Sequence, residues 1–148
     1  MINYNGDLHI IPVPRERWLW QVVSSVTCLW TPEAGDETIF IAVPEGFITD
    51  FASVPRGVWN VLPPHDGQYR LAALFHDRLY EHHQMLRFQA DLFFYEAMAY
   101  DDVPRWKRAA MYYAVRTCGE WAYNSGPHRR QERVAVAERL QREAYGMR

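Results

Sequence analysis

The chain has only two cysteines, no long hydrophobic run and almost no net charge, and each shortage closes off a class of protein. Cys28 and Cys118 lie far apart and fit no metal-ligand or redox spacing, so they are expected to be two reduced core thiols rather than a disulfide framework. A bilayer crossing needs roughly 20 consecutive apolar residues. Pro, Arg, Glu or Asp interrupts every apolar segment here, so no membrane role is expected. Met1 to His9 carry neither the basic start nor the apolar stretch of a secretory leader, which predicts a chain that stays in the cytoplasm where it is made. A formal charge of -2, from 16 basic and 18 acidic residues, gives no global pull toward nucleic acid.

What the chain does have is core material. Its 148 residues are 49% hydrophobic and 15% aromatic, enough to fill one core and to predict a single domain over 1–148. Residues 1–43 have strand chemistry. Trp18 to Trp30 and Thr38 to Val43 read as the arms of an antiparallel hairpin, joined through Pro32, Gly35 and Asp36. Over 44–65 the periodicity vanishes among prolines and glycines. The interleaved Phe47, Ile48, Phe51, Val54 and Trp59 predict an ordered loop pinned to the core. Residues 66–125 read as a helical core, with helices from about Gly67 to His83 after an Asp66 cap, from about Arg87 to Tyr100, and from Pro104 to about Trp121. A Gly126-Pro127 break precedes a last helix, about Arg129 to Tyr145, within 128–148. The result is an α+β fold: a small sheet or hairpin, an ordered loop, then three to four packed helices.

One residue is out of place in that pattern. On a helical wheel Phe88, Phe94, Tyr95 and Met98 surround Asp91, while Gln89 and Glu96 fall on the opposite, polar side. An unpaired carboxylate in an apolar interior costs several kcal/mol, so Asp91 must be protonated, paired or metal-bound. The short turn His83 to Leu86 should fold the first two helices into an antiparallel hairpin. That brings His76, on the flank of the Leu71, Leu74, Phe75 and Leu79 face, to the depth of Asp91, with Tyr80 on the same edge. The pair could be a general base with its orienting carboxylate, two ligands of a divalent metal, or a hydrogen bond that simply locks two helices. Asp77, about 100° further round the helix, is expected to face the loop holding Asp50. In that reading Asp50, Ser53 and Arg56 reach the same site. Asp50, His76, Asp77 and Asp91 are then the candidate catalytic or metal-ligating residues, and Ser53, Arg56 and Tyr80 the substrate-binding ones.

The runs Val43-Pro44-Glu45-Gly46-Phe47-Ile48-Thr49-Asp50-Phe51-Ala52-Ser53-Val54-Pro55-Arg56, His76-Asp77-Arg78-Leu79-Tyr80, and Ala90-Asp91 with Phe94 and Ala97-Met98 resemble the phage and prophage family called domain of unknown function 1353. The resemblance covers about Val43 to Gly119. It implies a phage or prophage origin, a host-cytoplasmic or virion location, and other phage proteins, such as virion or tail components, as partners. It implies no reaction. His76-Asp77-Arg78-Leu79-Tyr80 with the later Asp91 is also similar to the His-Asp-x-Cys-Tyr helix of secreted phospholipases. There the His is the base, the adjacent Asp binds calcium and a distant Asp holds the His. This chain has neither their disulfide cysteines nor their glycine-rich calcium loop. The order His65, His76-Asp77, Asp91 is similar, at much shorter spacing, to metal-dependent His-Asp phosphohydrolases.

Two further faces stand out. The third helix sets Arg105, Arg108, Tyr112 and Arg116 against an apolar face of Trp106, Ala110, Tyr113, Ala114 and Trp121. The basic ridge reads as a solvated surface or a contact for an acidic or phosphate-bearing partner. The last helix carries Val134, Ala137, Leu140 and Ala144 in a narrow stripe suited to docking on the domain or on another subunit, and Trp18, Trp20 and Trp30 are core residues or an assembly surface. Two functions follow: a hydrolase with an assisting divalent metal, acting on an ester, amide or phosphodiester, or a non-enzymatic phage structural or accessory protein in which the cluster is a staple.

Overall fold

Alternation sets the first sheet. In the strand Val26–Trp30 the side chains of Val26, Cys28 and Trp30 are buried while Leu29 is exposed. The structure is a computed structural model that describes residues 1–51 and 69–146. In chain order its strands are β1 (Ile2–Asn5), β2 (Ile10–Pro12), β3 (Trp20–Val22), β4 (Val26–Trp30), β5 (Ile39–Val43) and β6 (Ile48–Thr49). The helices are α1 (Arg70–His82), α2 (Arg87–Tyr100), α3 (Arg105–Asn124) and α4 (Gly126–Tyr145). This is the expected α+β fold.

β4 and β5 form the expected hairpin, paired antiparallel from Val26↔Val43 to Trp30↔Ile39. β1 joins on the other side of β4, so the order is β1-β4-β5. The long strand expected over Trp18 to Trp30 is in fact two. Its first part, β3, pairs with β2 and β6 in a second antiparallel sheet of order β2-β3-β6.

The main core lies between the inner face of the first sheet and the helices. Val26, Cys28, Trp30, Ile41 and Val43 join Leu74, Phe75, Phe93, Phe94 and Ala97 in one buried cluster. A smaller cluster of Val13, Leu19, Ile48 and Ala137, with Val134 and Leu140 against it, holds α4 to the second sheet. The α4 stripe therefore docks on its own domain, and only Ala144 of the four stripe residues is left exposed.

α1 and α2 form the helical hairpin the turn chemistry predicts. His83, at φ 48°, ends α1 in the left-handed region, and the Gln89 side chain accepts the Leu86 backbone N–H at the start of α2. Between α3 and α4 stands only Ser125. Gly126, expected in a hinge, is instead a pressed contact: a Cβ there would lie 2.3 Å from the Tyr80 carbonyl oxygen.

Two other expectations are corrected, and for Trp30 one of two alternatives is chosen. α3 buries Met111, Val115, Gly119 and Ala122, whereas Trp106, Tyr113 and Trp121 are 60%, 65% and 70% exposed, so the face expected to be core is the outer one. Cys118 is exposed and only Cys28 is buried. Trp30 is wholly core. Among the described residues no helix is long and apolar enough to cross a membrane.

Candidate functional site

Asp91 is fully buried on α2 and is met from two neighbouring helices. From α1, His76 Nε2 lies 2.9 Å from Asp91 Oδ1, and the Tyr80 hydroxyl donates to the same oxygen at 2.6 Å. From α3, Arg116 Nη1 donates to Oδ2 at 2.8 Å, and on α2 itself Arg87 Nη1 lies further off at 3.9 Å. Burial alone would push the Asp91 carboxyl up. The hydrogen bond and charge of His76, then the bonds from Tyr80 and Arg116, outweigh it and hold the carboxyl below its ordinary value. Asp91 is therefore an anion that accepts at both oxygens.

His76 is as buried as its partner and lies between two rings, stacked on Phe94 at 4.6 Å and tilted against Tyr80 at 4.2 Å. Since the Asp91 carboxylate only accepts, Nε2 is the ring nitrogen that donates to it, and Nδ1 points away from the carboxylate. Nδ1 is buried and has no hydrogen-bond partner among the described residues. Gly119 on α3 makes room for this arrangement: a Cβ there would sit 2.7 Å from the Tyr80 hydroxyl oxygen.

The other two carboxylates expected at this site belong elsewhere. Asp77 accepts from the Thr49 hydroxyl at 2.6 Å and lies 3.4 Å from Arg133 of α4. Asp50 is paired with both Arg133 and, at 3.2 Å, Arg129. Glu81, one turn along α1 from Asp77 and unremarked in the sequence, also meets Arg133. The step of about 100° between consecutive helical residues is the reason: it turns His76 toward α2 and α3, and Asp77 with Glu81 toward β6 and α4. Asp50 does face Asp77, as expected, but across a guanidinium rather than a shared ion. The backbone supports that loop end: Phe51 is held at φ 52° with its N–H donating to Thr49 Oγ1 at 3.1 Å.

Of the seven expected site residues, then, His76, Asp91 and Tyr80 come together, and Asp50 and Asp77 form a separate ionic cluster. Ser53 and Arg56 lie outside the described residues, as do Val54, Trp59 and Asp66. Among the described residues no group of three or more His, Cys, Asp or Glu side chains is placed to hold a metal ion. Sequence reading missed Arg116 as a partner of Asp91, because it counted that residue in a solvated ridge. It also placed Glu96 on a polar side, whereas Glu96 is buried and accepts from Trp30 Nε1 at 2.7 Å and from the Glu33 backbone N–H at 3.2 Å.

The model of the family described as "Protein of unknown function (DUF1353)" matches residues 20–115, more than half of the chain. The chain belongs to that family. The DUF1353 match takes in every group around Asp91 except Arg116, which lies one residue past its end, and stops before the α4 arginines. The chain is also similar to an uncharacterized protein, y4jT, of Sinorhizobium fredii (strain NBRC 101917 / NGR234), at 37% identity over 81 residues. Those residues are 53% of this chain and 24% of that protein, so the chain spans about a quarter of its length. No solved structure matches.

Proposed function

We propose that this DUF1353 protein is a hydrolase of ester-type bonds in which His76 is the general base and Asp91 fixes its ring. The observation that carries this reading is the buried Nδ1 of His76, without a hydrogen-bond partner among the described residues and opposite a nitrogen already committed to Asp91. A histidine used only to lock helices would be expected to satisfy both nitrogens, since an orphaned buried polar atom costs about 1–3 kcal/mol. A base needs the reverse: one nitrogen oriented, the other open to a water or hydroxyl. In the step proposed, water gives a proton to Nδ1 as its oxygen attacks the ester carbonyl, and the imidazolium is stabilised across Nε2–H by the Asp91 anion. The proton then passes to the leaving alkoxide.

The similarity to the secreted-phospholipase helix supports the same division of labour. His76, as the base, and Asp91, as the distant carboxylate that holds it, match the roles given above, and here Tyr80 adds its hydroxyl to that carboxylate. The departure is Asp77, whose carboxylate is taken up by Thr49 and Arg133. That donor set does not fit a calcium ion.

A second reading has its own support. Three donors converge on Asp91 from two helices, as a structural staple would require, in a phage-derived accessory or virion protein. Turnover of p-nitrophenyl butyrate and bis-p-nitrophenyl phosphate by the full chain, with and without EDTA, separates the two. The His76→Gln variant keeps a donor toward Asp91 but has no base. The hydrolase reading expects ester turnover that falls at least about 100-fold in this variant, with the unfolding midpoint retained. Absence of turnover by the unaltered chain, or equal rates in both, favours the staple.

A further inference from the structure

On the side of α1 away from His76, a cleft of about 260 Å³ opens between the β5–β6 turn, the C-terminal half of α1, and α4. Three basic side chains line it: Arg78 and His82 from α1 and Arg130 from α4. Phe47, Ile48 and Val134 give it an apolar wall. Arg78 is anchored by its Nε, which donates to the Ala42 carbonyl at 2.9 Å, and its guanidinium lies over the Phe47 ring at 5.8 Å. Neither Arg78 nor Arg130 has an ion-pair partner among the described residues. His82 Nε2 is buried with no hydrogen-bond partner among them.

The crowding shows in the titration of these groups. Burial first, then Arg78, Arg130 and His83, push the His82 imidazole down to about 4, and burial with Arg130 lowers Arg78. Two carboxylates also border the cleft. Glu81 is already engaged by Arg133, and Glu45 is exposed. Two uncompensated guanidiniums and an unpartnered ring nitrogen around one concavity lack only an acceptor-rich anion.

We propose that this cleft binds the tetrahedral oxyanion of a phosphate group, with Arg78 and Arg130 as charged donors and His82 Nε2 as a third contact. The phosphate is either free or a monoester whose organic part lies on Phe47, Ile48 and Val134. The site is independent of the hydrolase reading, because it uses neither His76 nor Asp91.

Calorimetric titration of the full chain with inorganic phosphate and with phenyl phosphate, at constant ionic strength in chloride, tests it. Saturable binding is expected, weakened at least tenfold in Arg130→Ala. That side chain is exposed, so the variant should unfold at the unaltered midpoint. Phenyl phosphate binding more tightly assigns the site to an organic monoester, and equal affinities assign it to free phosphate. No saturable heat with either probe, or affinity unchanged in Arg130→Ala, overturns the proposal.

Discussion

At the scale of single residues, Asp91 carries the arrangement. Its charge is tolerated inside the core because three donors replace the water it loses. Asp91→Ala strands the Arg116 guanidinium and leaves the Tyr80 hydroxyl and His76 Nε2 unpaired, so a loss of about 3–5 kcal/mol is expected by urea unfolding. Because the folded carboxyl is held below its unfolded value, its stabilisation is present above an ordinary carboxylate pKa of about 3.9. It is lost as acid titrates the folded form.

Asp101 behaves in the opposite sense. Burial pushes it up to about 7, opposed by the nearby Tyr4 hydroxyl and reinforced by a smaller push from Asp102. The unfolded chain releases this proton near 3.9, whereas the folded chain keeps it until about 7. The unfolding free energy should therefore fall as pH rises from 4 to 7, and Asp101→Asn should flatten that slope. An unchanged slope in the variant, measured by denaturant titration at each pH, would contradict the assignment.

The position of Asp91 was legible in the sequence because a helix wheel needs only local spacing. The burial of Glu96 was not, since its partner Trp30 comes from β4, 66 positions away.

At the scale of elements, the telling case is α4. Its apolar stripe was readable, but not that Arg133 would enter among Asp50, Asp77 and Glu81, because six arginines against three glutamates over 126–148 look like a solvated face. Arg133→Leu removes the guanidinium that keeps these carboxylates together. A loss of about 3–5 kcal/mol is expected, and hydrogen exchange should show α4 amides opening before those of α1 and α2. Uniform loss of protection across all four helices would instead make α4 part of one cooperative unit. α3 misled for a different reason. Both of its faces carry apolar residues, and the larger aromatics drew the core to the wrong side. The face that packs is made of Met111, Val115, Gly119 and Ala122, where small residues let Tyr80 approach.

At the scale of the whole molecule, the α+β division and the α1–α2 hairpin followed from strand composition, turn residues and helical period. The split into two sheets did not. It depends on β1 and β6, whose partners β4 and β3 lie far off in the chain, and on a break after Val22 that no proline or glycine announces. The same gap between local and long-range information explains the site. The sequence placed four acidic and imidazole groups near one another, and the turn of α1 divides them into a dyad on one side and an ionic latch on the other.

A base role for His76 turns on which of its nitrogens holds the proton, and long-range ¹H–¹⁵N NMR of the histidine side chains reads that directly. That role predicts a ring protonated at Nε2 with Nδ1 bare, collapsing to an unordered tautomer pattern in Asp91→Asn. A proton found on Nδ1 in the unaltered chain would contradict it.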